Sequence, residues 1–384
     1  KSYEQAALPL HSELSANTKV TNTERLRIGY VSPDFRGHAV GTLIHRMFQH
    51  HDRSRFEIFA YSLISADDEW SQAIRQGCDH FFDMSSQVPD AIAQHIRNDG
   101  IHILIDLAGY TAYSMTTVFA LKPAPVQMQY LGYPGTMGAE FIPFIIADST
   151  LIPPELSHLY TEQVVYLPNA WVASPMDIAD TALTRADFGL PEHAFVFCCF
   201  NGTYKIDPAV FKVWMQILLH VPDSVLWLGN AGRVVIAERL RQAASDLGVE
   251  PSRLVFADNI PHAEYLARYK LADLFLDTFI YNAGATAVGA FWAGLPVLTC
   301  PGETYVARMG ASLCNALGMN ELICNSVQDY LQKAIELGNH PGKVSALKQK
   351  LAQAVIEKPL FQPRLFIQSL EIALIKVWQD YQCR

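Results

Sequence analysis

The sequence predicts an α/β protein with two doubly wound domains, each a parallel sheet covered by helices on both faces. Two observations predict this class. Short apolar runs typical of buried strands alternate with amphipathic helical segments along most of the chain. The alternation stops once, in residues 168–190, and then begins again. Each series indicates strands joined by helical crossovers, and therefore a parallel sheet.

The domain boundaries follow from this interruption. We expect an N-terminal domain over 26–170, an interdomain linker over 171–190 and a C-terminal domain over 191–355. Residues 1–25 are typical of a helical stub followed by a polar linker, and residues 356–384 of a final helix interrupted at Pro363. That helix carries an apolar stripe. We expect it to pack back onto the N-terminal domain through Leu360, Phe366, Leu370, Leu374 and Trp378.

The individual elements are predicted from runs of apolar residues. In the N-terminal half, strands are expected at 26–32, 55–63, 101–109, 126–135 and 141–148, with helices beginning near Val40 and Ala91. In the C-terminal half, strands are expected at 194–201, 224–230, 253–258, 274–278 and 295–300. Helices are expected between these strands, and residues 306–356 are predicted to be mostly helical.

Composition limits the class of function. The formal net charge of −9 disfavours a nucleic-acid-binding protein, which would more often be basic. No apolar run is long enough to span a membrane, and the polar first residues do not resemble a signal peptide. The seven cysteines form no C-x-x-C pair, which favours reduced core residues. We therefore expect a cytoplasmic protein without nucleic-acid or membrane partners.

The polar residues after the strands are the candidates for chemistry, because doubly wound sheets bind ligands at the carboxyl ends of their strands. No G-x-G-x-x-G follows the first strand of either half, which disfavours a dinucleotide enzyme such as a dehydrogenase. Two facing domains of this kind are also used by GT-B glycosyltransferases. Polar residues at these strand ends are expected to face the cleft between two such domains.

In the N-terminal half, His38 follows the first strand and precedes a helix. A neutral imidazole there could bind a sugar hydroxyl or take a proton; alternatively it only caps the helix. Asp106 ends a strand, and Tyr110 and Thr111 lie in the following turn. We expect these side chains either to face the cleft or to act as helix caps and packing contacts.

In the C-terminal half, Lys205 lies between a strand and a helix that begins with proline. A lysine there is a natural counter-ion for a diphosphate. The small residues at 283–286 open a helix directly after a strand. Such a helix N-terminus is an anion site, because its backbone N–H groups and macrodipole point at the ligand. The alternative for these small residues is close packing of helix on strand.

Several segments resemble the catalytic region of the O-linked N-acetylglucosaminyltransferase family and its Spindly-type relatives, glycosyltransferase family 41. They are RIGYVSPDFRGHAV, FALKPAPVQMQYLGYPGTMGA, NGTYKIDP, SVLWL, LADLFLDT, FWAGLPVLTCPGET and VWQDY, in order from about residue 25 to 381. The resemblance implies a GT-B fold, with two Rossmann-like domains facing across a cleft. It also implies an inverting transfer from a nucleotide-sugar to protein Ser/Thr hydroxyls, and tetratricopeptide repeats before the catalytic region.

The family's functional residues map onto this sequence position by position. Its sugar-side histidine matches His38, its diphosphate lysine Lys205, its phosphate-facing threonine Thr286 and its base-proximal arginine Arg268. We expect the donor to contact Asn201, Thr203, Lys205, Ile260, His262, Tyr265, Arg268, Asn282, Gly284, Ala285, Thr286, Gly302 and Glu303. We expect the catalytic set His38, Lys205, Tyr110, Thr111 and Asp106, and no metal ion or other cofactor.

Some positions depart from the family pattern. Gly202 replaces a glutamine, His262 and Tyr265 replace a lysine and a histidine near the nucleoside, Gly284 replaces a histidine and Gly289 a ribose-binding aspartate. The resemblance therefore predicts transfer of GlcNAc from a nucleotide-diphosphate sugar, with two alternatives. One is a Spindly-like protein O-fucosyltransferase that uses GDP-fucose. The other is a degenerate protein that binds a nucleotide-sugar or peptide without turnover.

Overall fold

The computed structural model describes residues 25–229 and 234–383, so the helical stub expected over 1–25 lies almost wholly outside the described residues. The chain forms two compact units. The first extends to Ser174 and resumes at Pro359, and the second extends from Pro175 to Lys358. No helix in the described ranges is long and apolar enough to cross a membrane.

The first unit contains a seven-stranded parallel sheet with the strand order β3-β2-β1-β4-β5-β6-β7. Its strands are β1 (Leu26–Ser32), β2 (Phe56–Ser62), β3 (His80–Asp83), β4 (Ile103–Asp106), β5 (Val126–Gln129), β6 (Phe144–Ala147) and β7 (Gln163–Tyr166). The helices of this unit are α1 (Ala39–Ile44), α2 (Glu69–Gly77), α3 (Pro89–Asn98), α4 (Thr116–Ala120) and, at the end of the chain, α12 (Pro363–Gln382).

The second unit contains a five-stranded parallel sheet with the order β10-β9-β8-β11-β12. Its strands are β8 (Phe195–Cys199), β9 (Ser224–Gly229), β10 (Leu254–Ala257), β11 (Leu274–Leu276) and β12 (Val297–Leu298). Its helices are α5 (Pro208–His220), α6 (Val234–Asp246), α7 (His262–Arg268), α8 (Ala285–Trp292), α9 (Met309–Leu317), α10 (Val327–Asn339) and α11 (Pro341–Glu357).

The strands predicted from apolar runs are confirmed, although several are shorter than expected. The run 101–109 forms a strand only over Ile103–Asp106, because the residues after it turn towards the next helix. Strands β3 and β7 were not predicted. Both lie at edges of the sheet, both are only four residues long, and β3 has no fully buried residue. Edge strands of this kind lack the continuous apolar run that marks the central strands.

The C-terminal helix α12 belongs to the first unit. Leu370 and Leu374 are fully buried, and the Phe366 ring stacks on Tyr130 with the ring centroids 5.7 Å apart. A buried polar chain also joins the helix to the unit. Glu371 Oε1 lies 3.0 Å from His51 Nδ1 and accepts the backbone N–H of Asp52 at 2.8 Å.

Replacing Glu371 with leucine is expected to destabilise the protein by about 2–4 kcal/mol, because the buried His51 Nδ1 and the Asp52 N–H would lose their acceptor. Urea unfolding measures this change. Glu371→Gln is the matched control, since its amide oxygen still accepts both hydrogen bonds and the loss should be smaller. Equal unfolding midpoints for the leucine variant and the parent would contradict the role of this contact.

Candidate functional site

His38 lies directly after β1 and is the N-cap residue of α1. Its Nδ1 lies 3.3 Å from the backbone nitrogen of Val40, which donates to it, so the capping role is present. The side chain is 41% exposed, which leaves part of the ring open to solvent or a substrate. Burial of the rest lowers the pKa of His38, and the charge of Asp34 opposes that shift. Burial therefore favours the neutral imidazole.

Asp34 is a partner of His38 that the sequence did not single out. Its Oδ2 lies 3.3 Å from His38 Nδ1, and its Oδ1 accepts from Arg36 Nη2 at 3.4 Å. A proton on Nδ1 would be donated to Asp34 in place of the Val40 contact and would leave Nε2 as a base, as in a catalytic triad. A proton on Nε2 would make that atom a donor to a hydroxyl. The spacing of four residues in SPDFRGH was the only sequence signal.

Asp106 ends β4 and is almost fully buried. Its Oδ1 accepts the backbone N–H groups of Ala108 and Gly109 at 2.8 and 3.0 Å. Its Oδ2 has no hydrogen-bond partner among the described residues. Burial raises the pKa of Asp106 to about 6, against the opposing effect of the two backbone hydrogen bonds. A carboxyl group with this pKa can exchange a proton near neutral pH.

The Asp106→Asn variant is expected to be more stable than the parent at pH 8, by an amount that shrinks as the pH falls. The folded carboxyl has a pKa of about 6 and the unfolded one 3.8, so the folded state binds more protons between these values. The parent therefore loses stability as the pH rises through this window, on the order of 2–3 kcal/mol. Urea unfolding from pH 4.5 to 8 measures the difference. A pH-independent difference would show that Asp106 is charged throughout.

Tyr110 and Thr111 lie in the turn after Asp106. The Tyr110 hydroxyl donates to the carbonyl of Met137 at 2.9 Å, and the Thr111 hydroxyl donates to the carbonyl of Ala108 at 2.9 Å. Gly109 makes this turn possible, because its φ is +58° and a Cβ would lie 2.4 Å from Tyr133 Cβ. Tyr110 remains 41% exposed. Each hydroxyl thus donates within the protein, and its oxygen can still accept a hydrogen bond from a ligand.

Lys205 ends a short 3-10 turn after β8. Its Nζ donates to the carbonyl of Asn282 at 3.0 Å and lies 3.8 Å from the centre of the Tyr281 ring. Burial lowers the pKa of Lys205, and the negative charge of Asp277 raises it. The structure thus brings together two segments that are far apart in sequence, the turn after β8 and the turn before α8.

The helix α8 begins at Ala285, with Gly284 as its N-cap residue and no side-chain cap. The first backbone N–H groups of a helix have no partner within the helix. Thr286 lies in this first turn and is half-buried. Because the Asn282 carbonyl that binds Lys205 lies only two residues before Gly284, a positive charge and a helix N-terminus are neighbours here. This arrangement can bind an anion.

Asn201 and Asn282 are both buried around this turn. Asn201 Nδ2 donates to the Thr278 hydroxyl at 2.9 Å, and Asn282 Nδ2 donates to the Thr278 carbonyl at 2.5 Å. The Asn201 Oδ1 atom has no hydrogen-bond partner among the described residues. Both amides therefore fix the turn before α8. Thr203 is the first residue of the 3-10 turn that ends at Lys205, and its side chain is half-buried.

A second group of expected donor contacts lies on and near α7. Arg268 is only 3% exposed, and its guanidinium lies over the rings of Phe200 and Tyr265 at 4.1 and 4.3 Å. The Tyr265 hydroxyl lies 2.7 Å from that of Tyr269, which donates to the carbonyl of Thr286 at 3.2 Å. This chain of contacts joins the aromatic rings around Arg268 to the start of α8.

The other expected donor residues lie on more open segments of the second unit. His262 is the exposed first residue of α7, and Ile260 precedes it and is half-buried. Gly302 and Glu303 follow β12. Gly302 N–H donates to the carbonyl of Ala307 at 2.8 Å, and Glu303 is exposed. No hydrogen bond connects these four residues to Lys205 in the described part of the chain.

Two glycines depart from the family pattern. Gly289 is buried in α8, and Gly202 is exposed after β8. A Cβ at Gly289 would lie 3.0 Å from Leu266 Cδ2, and a Cβ at Gly202 would lie 2.5 Å from the Tyr204 ring. The space that an aspartate at 289 would need is thus bordered by an apolar side chain. In the described ranges, no three His, Cys, Asp or Glu side chains are grouped so that they could hold a metal ion.

The chain is similar to known proteins of one family. The model of "Glycosyl transferase family 41" matches residues 9–179 and 173–370. The probable UDP-N-acetylglucosamine–peptide N-acetylglucosaminyltransferase SEC of Arabidopsis thaliana is 38% identical over 92% of this chain and 37% of its own length. The chain thus spans well under half of this curated relative.

Solved structures show the same fold. A mutant O-GlcNAc transferase of Thermobaculum terrenum has a TM-score of 0.85 and 31% identity, over 93% of this chain and 68% of its own. The Anabaena protein HepE, solved with UDP and glucose, has a TM-score of 0.57 at 14% identity, over 92% and 100% of the two chains. The predicted GT-B fold class is confirmed. The chain belongs to glycosyl transferase family 41.

Proposed function

We propose that this protein is an inverting glycosyltransferase that moves GlcNAc from UDP-GlcNAc to Ser and Thr hydroxyls of proteins. Curated relatives from Arabidopsis thaliana and Caenorhabditis elegans, at 38% and 28% identity, are named for transfer from UDP-N-acetylglucosamine to peptide. The observation that carries the proposal is the position of Lys205, whose Nζ is bound to the turn that leads into the N-terminus of α8. A nucleotide-sugar enzyme needs such a site for the diphosphate.

The diphosphate is the leaving group, and its negative charge grows in the transition state. Lys205 and the backbone N–H groups at Ala285 and Thr286 would stabilise that charge from fixed positions. Removing one such preorganised donor in other enzymes costs about 100- to 1000-fold in rate. We therefore assign Lys205 and the first turn of α8 to the diphosphate. The half-buried Thr286 hydroxyl adds a further donor there.

The first unit supplies the residues for the sugar and the acceptor. We assign His38, Tyr110 and Thr111 to the sugar hydroxyls. We assign the proton of the acceptor hydroxyl to His38, whose Nδ1 lies beside Asp34, or to Asp106, whose Oδ2 has no hydrogen-bond partner among the described residues. General bases of this kind typically contribute about 100- to 10,000-fold. The transfer is proposed to be independent of metal ions, because the lysine and the helix N-terminus provide the electrostatic stabilisation that a metal would otherwise supply.

One observation near the expected nucleoside site favours a donor other than UDP-GlcNAc. Gly289 lies where the family has a ribose-binding aspartate, and Leu266 borders that space at 3.0 Å. A protein with altered ribose contacts is either a fucosyltransferase that uses GDP-fucose or a degenerate binder without turnover. These are the alternatives to the proposal.

The experiment is a thermal-shift titration with UDP, UDP-GlcNAc, GDP and GDP-fucose, followed by a transfer assay on a protein acceptor. A ligand at 100 times its Kd stabilises the folded state by about 2.7 kcal/mol. Stabilisation by UDP and UDP-GlcNAc with labelled product supports the proposal. Stabilisation by GDP and GDP-fucose alone, with labelled product, would assign a fucosyltransferase. Stabilisation by either pair of ligands without any product would assign a degenerate binder.

The cellular setting is also part of the proposal. The seven cysteines are free thiols, which favours a reducing compartment and hence the cytoplasm. The partners are a nucleotide-sugar and a protein or peptide acceptor, and we expect tetratricopeptide repeats in the complete protein, as in other family members. Neither nucleic acid nor membrane is among the proposed partners.

A further inference from the structure

Asp277 is a buried carboxylate at the end of β11 that the donor assignment does not use. It is 0% exposed. Its Oδ1 accepts the backbone N–H groups of Thr278 and Ala283 at 2.9 and 2.7 Å, and its Oδ2 accepts the Thr299 hydroxyl at 2.8 Å. The first two bonds join the two ends of the turn 278–283. One side chain therefore fixes the turn that leads into α8.

Helix α9 packs directly against the same carboxylate. A Cβ at Gly310 would lie 2.4 Å from Asp277 Oδ2, so only glycine allows this approach. The backbone N–H of Gly310 donates to Asn282 Oδ1 at 3.2 Å. The carbonyl of the same Asn282 accepts from Lys205. The carboxylate thus lies at the centre of the contacts that place the lysine beside the start of α8.

The negative charge of Asp277 also acts on Lys205. Burial disfavours the ammonium form of Lys205 and lowers its pKa, whereas the negative charge of Asp277 raises it. Burial likewise raises the pKa of Asp277 to about 6, against its hydrogen bonds and the charge of Lys205. The titratable groups that face Asp277 are Lys205, Cys199, Cys314 and Tyr330. Lys205 is the only cation among these four.

We propose that Asp277 is a positioning residue whose hydrogen bonds hold the turn 278–283 in the conformation that presents Lys205 to the donor diphosphate, and whose negative charge favours the ammonium form of that lysine. The proposal rests on the assignment of Lys205 to the diphosphate. A carboxylate in contact with a phosphate would repel it. In Asp277 both oxygens are occupied by neutral donors of the protein, so its charge acts on the lysine from within the unit.

The Asp277→Asn variant removes the charge and keeps the shape. Its amide oxygen can still accept from Thr278 and Ala283, and its amide nitrogen can donate to Thr299, because a hydroxyl also accepts. Asp273→Asn is the matched control. Asp273 precedes the same strand β11, and its carboxylate pairs with Arg185 at 3.0 Å. This control removes a partly buried carboxylate charge from the other end of β11.

The experiment measures UDP affinity by calorimetry from pH 5 to 10 for the parent, Asp277→Asn, Asp273→Asn, Lys205→Met and the Asp277→Asn/Lys205→Met double variant. Asp277→Asn is expected to weaken UDP binding about tenfold at pH 8, the lower end of the loss expected when a hydrogen bond to a charged group is removed. The alkaline loss of binding should also move to lower pH, because Lys205 deprotonates more readily without the neighbouring negative charge. Circular dichroism confirms that each variant is folded.

The double variant separates the possible outcomes. Asp277→Asn should have no further effect once Lys205 is methionine, and Asp273→Asn should bind UDP like the parent. Equal weakening by Asp277→Asn in both backgrounds, or an unchanged alkaline limb, would overturn the inference and leave a purely structural role. If Lys205→Met itself binds UDP like the parent, the diphosphate assignment fails instead.

Discussion

The Lys205→Ala variant is expected to lower kcat/KM for glycosyl transfer by about 100- to 1000-fold. Its affinity for UDP should fall less, by about ten- to a hundredfold, which corresponds to about 1.5–3 kcal/mol for a hydrogen bond to a charged group. The difference arises because negative charge grows on the diphosphate as it leaves, so Lys205 interacts more strongly with the transition state than with the bound donor.

The Lys205→Arg variant should not restore full activity. The ammonium group lies 3.0 Å from the Asn282 carbonyl and 3.8 Å from the centre of the Tyr281 ring, so little space is left for a planar guanidinium. Calorimetric titration with UDP and a transfer assay on the same preparations measure both effects. Lys212→Ala is the matched control, since Lys212 is an exposed lysine on the neighbouring helix α5.

The fold should survive the loss of Lys205, because the side chain contributes little to the apolar core. A Lys205→Ala variant that folds normally and both binds UDP and transfers sugar at the parental level would refute the diphosphate assignment. The next hypothesis to test would then be that the second unit binds a nucleotide-sugar or peptide without turnover.

The His38→Ala variant is expected to reduce kcat by about 100- to 10,000-fold if His38 is the general base, with a smaller change in donor affinity. The structure shows a competing explanation, since the same side chain caps α1 through the Val40 N–H. Loss of an N-cap costs about 0.5–2 kcal/mol of stability. A loss of activity in the alanine variant alone would therefore not separate the two roles.

The His38→Asn variant separates them. Asparagine is a preferred N-cap residue but cannot act as a base. We expect this variant to have nearly parental stability and to remain as inactive as His38→Ala. Urea unfolding and single-turnover transfer at saturating donor measure the two properties. Recovery of parental turnover in His38→Asn would mean that His38 is only a cap, and Asp106 would become the leading candidate for the base.

Part of the candidate site was predictable because it follows local rules. His38 and Lys205 each lie immediately after a predicted strand, and the small residues at 284–286 lie at the start of a predicted helix. Because these residues follow the ends of strands, they lie at the carboxyl edge of a parallel sheet, where such sheets bind ligands. The match of these positions to the family motifs then assigned a role to each.

Asp34 and Asp277 could not be assigned in the same way. Each acts through a partner whose proximity depends on the folded turn: His38 for Asp34, and Lys205, 72 positions away in sequence, for Asp277. An aspartate at a strand end is compatible with a cap, a metal ligand or a base, and only the contacts of its oxygens separate these roles. The aromatic enclosure of Arg268 was equally invisible, because it combines residues of three different elements.

The sequence by itself determined the fold class, most of the strands and the family, because buried strands and helix starts leave periodic apolar patterns and short motifs. Only the tertiary structure decided which polar groups are paired, charged or left without a partner. The tertiary structure alone decided the edge strands β3 and β7 and the bond of Lys205 to Asn282. It also left the Oδ2 of Asp106 without a hydrogen-bond partner among the described residues. The physical reason is that pairing and desolvation depend on groups far apart in the chain, and burial sets the pKa of each group only once those groups have been brought together.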